Sequence, residues 1–78
     1  MTHVEIEYCV PCDFRNRALD VQEAILNGLE QELASVTLVM GDHGVFRVRA
    51  DGDLVYDKEE DEFDVDDIVR GIRATAEA

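Results

Sequence analysis

The sequence predicts an α/β chain: a two-layer sandwich of order β-α-β-β-β-α, with a four-stranded mixed sheet and both helices on one face. Three observations carry this. "HVEIEY", residues 3–8, alternates apolar and polar residues with the period of a half-buried strand. Phe14, Ala18, Val21, Ile25 and Leu29 then repeat at helical spacing. Finally, Asp51-Gly52 stands between "VFRVRA" and "DLVYD", and such a dipeptide suits a type I′ turn, which needs positive φ at both central positions.

In the first strand Val4, Ile6 and Tyr8 share one face, with Glu5 and Glu7 on the other. Pro11 suits the first turn of a helix, where its missing N–H would be unpaired anyway. The helix is expected from about Asp13 to Leu33, weakened by Gly28 near its end. "SVTLVM" reads as the second strand, ending at "GDHG". The third and fourth strands form the hairpin around Asp51-Gly52, and "KEEDEFD" reads as a solvated acidic loop. Asp64 can cap a last helix whose apolar positions Val65, Ile68, Val69 and Ile72 form a continuous stripe. The long helix between the first two strands implies a right-handed crossover and a parallel pair. Each alternating strand has one apolar face, and two helices suffice to cover one side of the sheet. If the third strand lies beside the first, Arg47 and Arg49 face Glu5 and Glu7, which gives the arginines a structural role.

At 78 residues the chain is expected to be one domain, near the lower limit for a core that is stable unaided. No apolar run approaches the roughly 18 residues needed to span a bilayer. Nor do the first twenty residues read as a signal peptide, so a soluble, cytoplasmic protein is expected. Nineteen acidic residues against seven basic ones give a net charge of −12. That balance excludes a nucleic-acid binder, which needs a basic surface, and disfavours anionic membranes. Carboxylates spread along the whole chain point to adaptation to concentrated salt, hence a halophilic source; an acidic docking surface for a basic partner is the alternative.

The chemistry-bearing motif is "CVPC", whose Cys9 and Cys12 are the two cysteines of the chain. Set between a strand and a helix, both thiols would lie near unpaired helix N–H groups, which favour thiolate over thiol. Thiolate is the form that attacks disulfides. As a staple the pair is weak, because so short a loop contributes only about 2 kcal/mol in the chain-entropy model. As a metal site it supplies two of the four ligands zinc wants. His3 is expected to be a frayed terminal residue and His43 a loop residue, so no metal and no organic cofactor are expected. A redox-active dithiol is the preferred reading, with metal handling or a structural role as alternatives.

Strand–CxxC–helix in this order resembles a minimal thioredoxin-like domain covering residues 1–78. Two features depart from thioredoxins: Tyr8 replaces the usual Trp, and Pro11 is the single proline, leaving none for the cis-proline facing the site. The sequence is similar to the selenoprotein W-like, or Rdx, family. "YCVPC", "GVFRV", "DGDLVYDK" and Phe63 fall in the family's order and cover most of the chain. Arg47 departs from the family's usual Glu, and Asp64 stands where many bacterial relatives have Pro.

The resemblance implies a thiol oxidoreductase or thiol-based redox adaptor. Cys9 matches the family's first cysteine. Cys12 matches the position that is selenocysteine in some members, a candidate for the reactive thiol. The thioredoxin precedent favours Cys9 instead, and the order stays open. Tyr8, Val10 and Pro11 are expected to border the site, with His43 and Gly44 of "GDHG" forming its rim and His43 a secondary candidate for proton transfer. Expected partners are protein or low-molecular-weight disulfides and thiols, for a monomer or weak dimer. Fold alone does not separate an enzyme from a redox-sensing adaptor that switches an interaction without turnover.

Overall fold

The structure, a computed structural model, describes residues 1–77. Strand β1 (Thr2–Cys9) leads to helix α1 (Arg15–Leu29) and a 3₁₀ turn (Glu30–Glu32). Then come β2 (Leu33–Gly41), β3 (Phe46–Ala50), β4 (Asp53–Asp57) and helix α2 (Val65–Glu77). The sheet order is β2-β1-β3-β4, with β1 parallel to β2 and antiparallel to β3, so the first strand is central.

The alternation in β1 does what its period demands. Val4, Ile6 and Tyr8 are buried in one apolar cluster with Phe46, Val48 and Ala50 of β3 and Tyr56 of β4. Leu33 of β2, Ala18, Val21, Ile25 and Leu29 of α1, and Ile68 and Ile72 of α2 complete it, so both helices lie on one face. On the other face β1 and β3 pair Glu7 with Arg47 and Glu5 with Arg49, as expected. Arg47 bridges Glu7 (3.8 Å) and Asp57 (3.3 Å), while Arg49 reaches diagonally to Glu7 at 3.4 Å. These part-exposed pairs are each worth at most about 1 kcal/mol.

Three local expectations need correcting. Helix α1 starts at Arg15 rather than Asp13, because Asp13 adopts a left-handed conformation (φ 62°) that no helix contains. The helix ends at Leu29, and Leu33, which continues the helical stripe, instead opens β2. His3 is not frayed: it lies within β1 and its Nδ1 is 2.8 Å from Ser35 Oγ.

The hairpin and the cap follow the sequence. Asp51 and Gly52 both have positive φ (52° and 85°), as a type I′ turn requires. Asp64 Oδ1 accepts hydrogen bonds from the N–H groups of Asp66 (2.9 Å) and Asp67 (3.2 Å) at the start of α2.

Candidate active site

Cys9 is the last residue of β1, and its neighbours on both sides hold it. Its N–H donates to Val45 O (2.8 Å), and Val10 N–H donates to Gly41 O (3.1 Å). Gly41 ends β2, and Val45 precedes β3, so the connection between those strands passes over the end of β1. It does so in four residues. Val45 N–H donates to Asp42 O (3.3 Å), and His43 and Gly44 both have positive φ (58° and 77°), making a second type I′ turn. At Gly41 an added Cβ would lie 2.8 Å from Val45 Cγ1, so a larger residue there would have to displace the Val45 side chain.

The chain then reverses through Val10-Pro11-Cys12-Asp13. Asp13 N–H donates to Val10 O (3.2 Å), closing a β-turn with proline at its second position, where a fixed φ is an advantage. Cys12 therefore sits in a turn ahead of α1, not in its first helical turn, and Pro11 serves the turn instead of the helix. Phe14 N–H donates back to Cys9 O (3.4 Å). Cys9 and Cys12 are joined as a disulfide, their Cα atoms 5.3 Å apart.

The two sulfurs have unlike surroundings. Cys9 is fully buried, whereas Val10, Pro11 and Cys12 are exposed. Just beyond, the first turn of α1 contains no acidic residue, and no side chain caps it. The nearest carboxylate in sequence is that of Asp13, which stands between Cys12 and the N-terminus of the helix.

The remaining expected site residues are distributed as follows. Tyr8 is buried in the core, opposite Phe46 in the sheet register. Gly44 lies in the turn above β1. The His43 ring is 92% exposed and pairs with Asp42 (3.5 Å), not with a cysteine. With Glu7, Arg47 and Asp57, His43 borders a hollow of about 290 Å³. Among the described residues no group of three or more His, Cys, Asp or Glu side chains is placed to hold a metal.

Sequence reasoning missed an aromatic cluster at the same end of the sheet. Phe46 packs edge-on against Phe14, Tyr56 and Phe63, with ring centres 6.0–6.1 Å apart. The cluster draws on a loop, two strands and the acidic segment; each ring stood in a stretch already singled out, but no local pattern showed that the four meet. Burial raises the Tyr56 phenol above its ordinary value, keeping it neutral, and its hydroxyl has no partner among the described residues.

Asp57, in the hollow behind the site, is held below the ordinary aspartate value of 3.8. The main cause is the Glu59 N–H donating to it, helped by Arg47. Its ionised form is the one favoured by folding. That stability is therefore complete above 3.8 and is lost as pH falls below it, through the depressed value. Asp57→Asn is accordingly expected to be less stable than wild type at neutral pH, with the gap narrowing as pH is lowered below 3.8 in urea unfolding. A gap that widened on acidification would overturn this assignment.

Compared with known proteins, residues 3–74 match the Rdx family model. The chain belongs to the Rdx family. No curated protein matches it by sequence. Among solved structures, a protein of Bordetella parapertussis is 26% identical, with a TM-score of 0.89, covering 95% of this chain and 96% of its own. A selenoprotein W-related protein of Vibrio cholerae shares the fold, with a TM-score of 0.88, at 19% identity and 96% coverage of each chain. This Rdx protein thus has the four-stranded sandwich that the first strand, long helix and hairpin imply, and its CxxC pair is compatible with a redox function. Among the described residues no helix is long and apolar enough to cross a membrane.

Proposed function

We propose that this Rdx protein is a thiol–disulfide oxidoreductase whose working dithiol is Cys9-Val10-Pro11-Cys12, with Cys12 as the attacking thiol. The supporting observation is the asymmetry of burial: an incoming disulfide can approach Cys12, while Cys9 is closed to it. The Cys12 thiolate attacks one sulfur of the partner disulfide, forming a mixed disulfide and releasing one thiolate. Cys9 thiolate then attacks Cys12 Sγ, re-forming the internal bond and releasing the second. Two electrons pass from the dithiol to the partner. Membership in the Rdx family agrees with the chemistry. Partners are protein or low-molecular-weight disulfides, and the cytoplasm, which keeps thiols reduced, suits the role.

Equilibration in graded dithiol/disulfide buffer, followed by thiol trapping, tests this. A reversible two-electron transition at about −120 to −270 mV is expected, together with repeated reduction of a generic disulfide when reductant is supplied. A single stoichiometric reaction without turnover would replace the enzyme by a redox-sensing adaptor.

A further inference from the structure

We infer that Arg17 and Lys58 select small, carboxylate-bearing disulfides for reaction at Cys12. This rests on the exchange chemistry proposed above.

Phe14 lies two residues beyond Cys12, and its ring collects two cations. The Arg17 guanidinium carbon is 5.3 Å from the centre of the Phe14 ring and 4.6 Å from that of Phe63. Lys58 Nζ is 5.7 Å from the Phe14 ring centre. Lys58 belongs to this end of the sheet, since its N–H donates to Phe46 O at 3.0 Å. Attraction between a cation and an aromatic face accounts for where both side chains rest. It does not neutralise them.

Among the described residues neither Arg17 nor Lys58 forms an ion pair with a carboxylate, although the chain has nineteen acidic residues. Arg47, Arg49 and Arg70 are each paired; Arg15 and Arg73 form no ion pair among the described residues either, but neither is placed on an aromatic ring. Two cations thus gather on the ring of Phe14, two residues beyond Cys12, in a chain of net charge −12. A carboxylate on a bound disulfide can hydrogen-bond to them, while Val10 (51% exposed) and Phe63 (38% exposed) offer apolar surface for its carbon chain.

A small molecule suits this patch better than an acidic protein. Glu59–Glu62 follow Lys58 directly, and a large anionic partner would meet them as well as the patch. A small disulfide reaches the cations without that encounter. When it reacts, Cys12–S forms as the substrate S–S bond breaks, and one carboxylate-bearing thiolate leaves. Attack by Cys9 then releases the other.

The test uses reduced full-length protein in molar salt, where the Debye length is about 3 Å and only adjacent charges count. Its oxidation is timed with neutral hydroxyethyl disulfide, anionic dithiodipropionate and cationic cystamine, each referenced to mercaptoethanol reacting with the same compound. The anionic-over-cationic rate ratio is expected to be about tenfold above that of mercaptoethanol. The double variant Arg17→Gln, Lys58→Gln should bring it down to the reference value. The charge-conserving double variant Arg17→Lys, Lys58→Arg should keep it. A general change in Cys12 reactivity alters all three rates together and cancels in the ratio. Reaction with the neutral disulfide but no excess ratio in wild type, or an excess that survives loss of both cations, overturns the selection alone. Failure to react with any of the three overturns the exchange chemistry and the selection with it.

Discussion

Cys12→Ser is expected to abolish disulfide exchange, lowering its rate by roughly a thousandfold or more, because a serine hydroxyl is not a nucleophile toward disulfides at neutral pH. Cys9→Ser should behave differently. Its exposed Cys12 still makes the first attack, but nothing inside the protein resolves the product, so one equivalent of mixed disulfide should accumulate. The difference follows from full burial of Cys9 against exposure of Cys12. Both variants would be mixed with an excess of a chromogenic disulfide and followed by released thiolate and by intact mass. Trapping on Cys9 in the Cys12→Ser protein, with the Cys9→Ser protein inert, would reverse the proposed roles.

Phe46→Ala should cost about 3–5 kcal/mol of stability, the range for deleting a buried aromatic ring. Phe46 is 1% exposed and touches Phe14, Tyr56 and Phe63 edge-on, so its loss removes three aromatic contacts and leaves a cavity. A chain of this size has roughly 4–12 kcal/mol in total, so the variant should be partly unfolded at moderate temperature. Urea unfolding measures the loss, and Phe46→Leu, which fills more of the space, should lose visibly less. A cost under about 1 kcal/mol would mean that the cluster is not packed as described.

The expected results trace to different depths of the sequence. The sheet was legible because its signals are local: the alternation of Val4, Ile6 and Tyr8, the Asp51-Gly52 turn, and the cap at Asp64. The pairing of Arg47 and Arg49 against Glu5 and Glu7 was legible once β3 was set beside β1. The start of α1 was not, because the left-handed backbone at Asp13 places Cys12 in a turn and nothing in residue type alone dictates it. Leu33 misled for another reason: it fits the helical stripe of Leu26 and Leu29, but the 3₁₀ turn of Glu30–Glu32 breaks the period first. Gly41 and Val45 could not be assigned to the site, since their role is to offer carbonyl groups to Val10 and Cys9, more than thirty residues earlier. Arg17 and Lys58 look like ordinary surface charges until the fold brings Phe14 and Phe63 beneath them.

Under the exchange chemistry, burial of one sulfur also orders traffic through the molecule. Oxidant and reductant would both have to use Cys12, because it is the exposed member of the pair and Cys9 is fully buried. Such a protein alternates between two forms, the double-displacement pattern of enzymes that shuttle through a covalent intermediate. An excess of either partner then occupies the form meant for the other and slows the cycle. Throughput is greatest when the two supplies are matched, so the protein responds to their ratio more than to the amount of either.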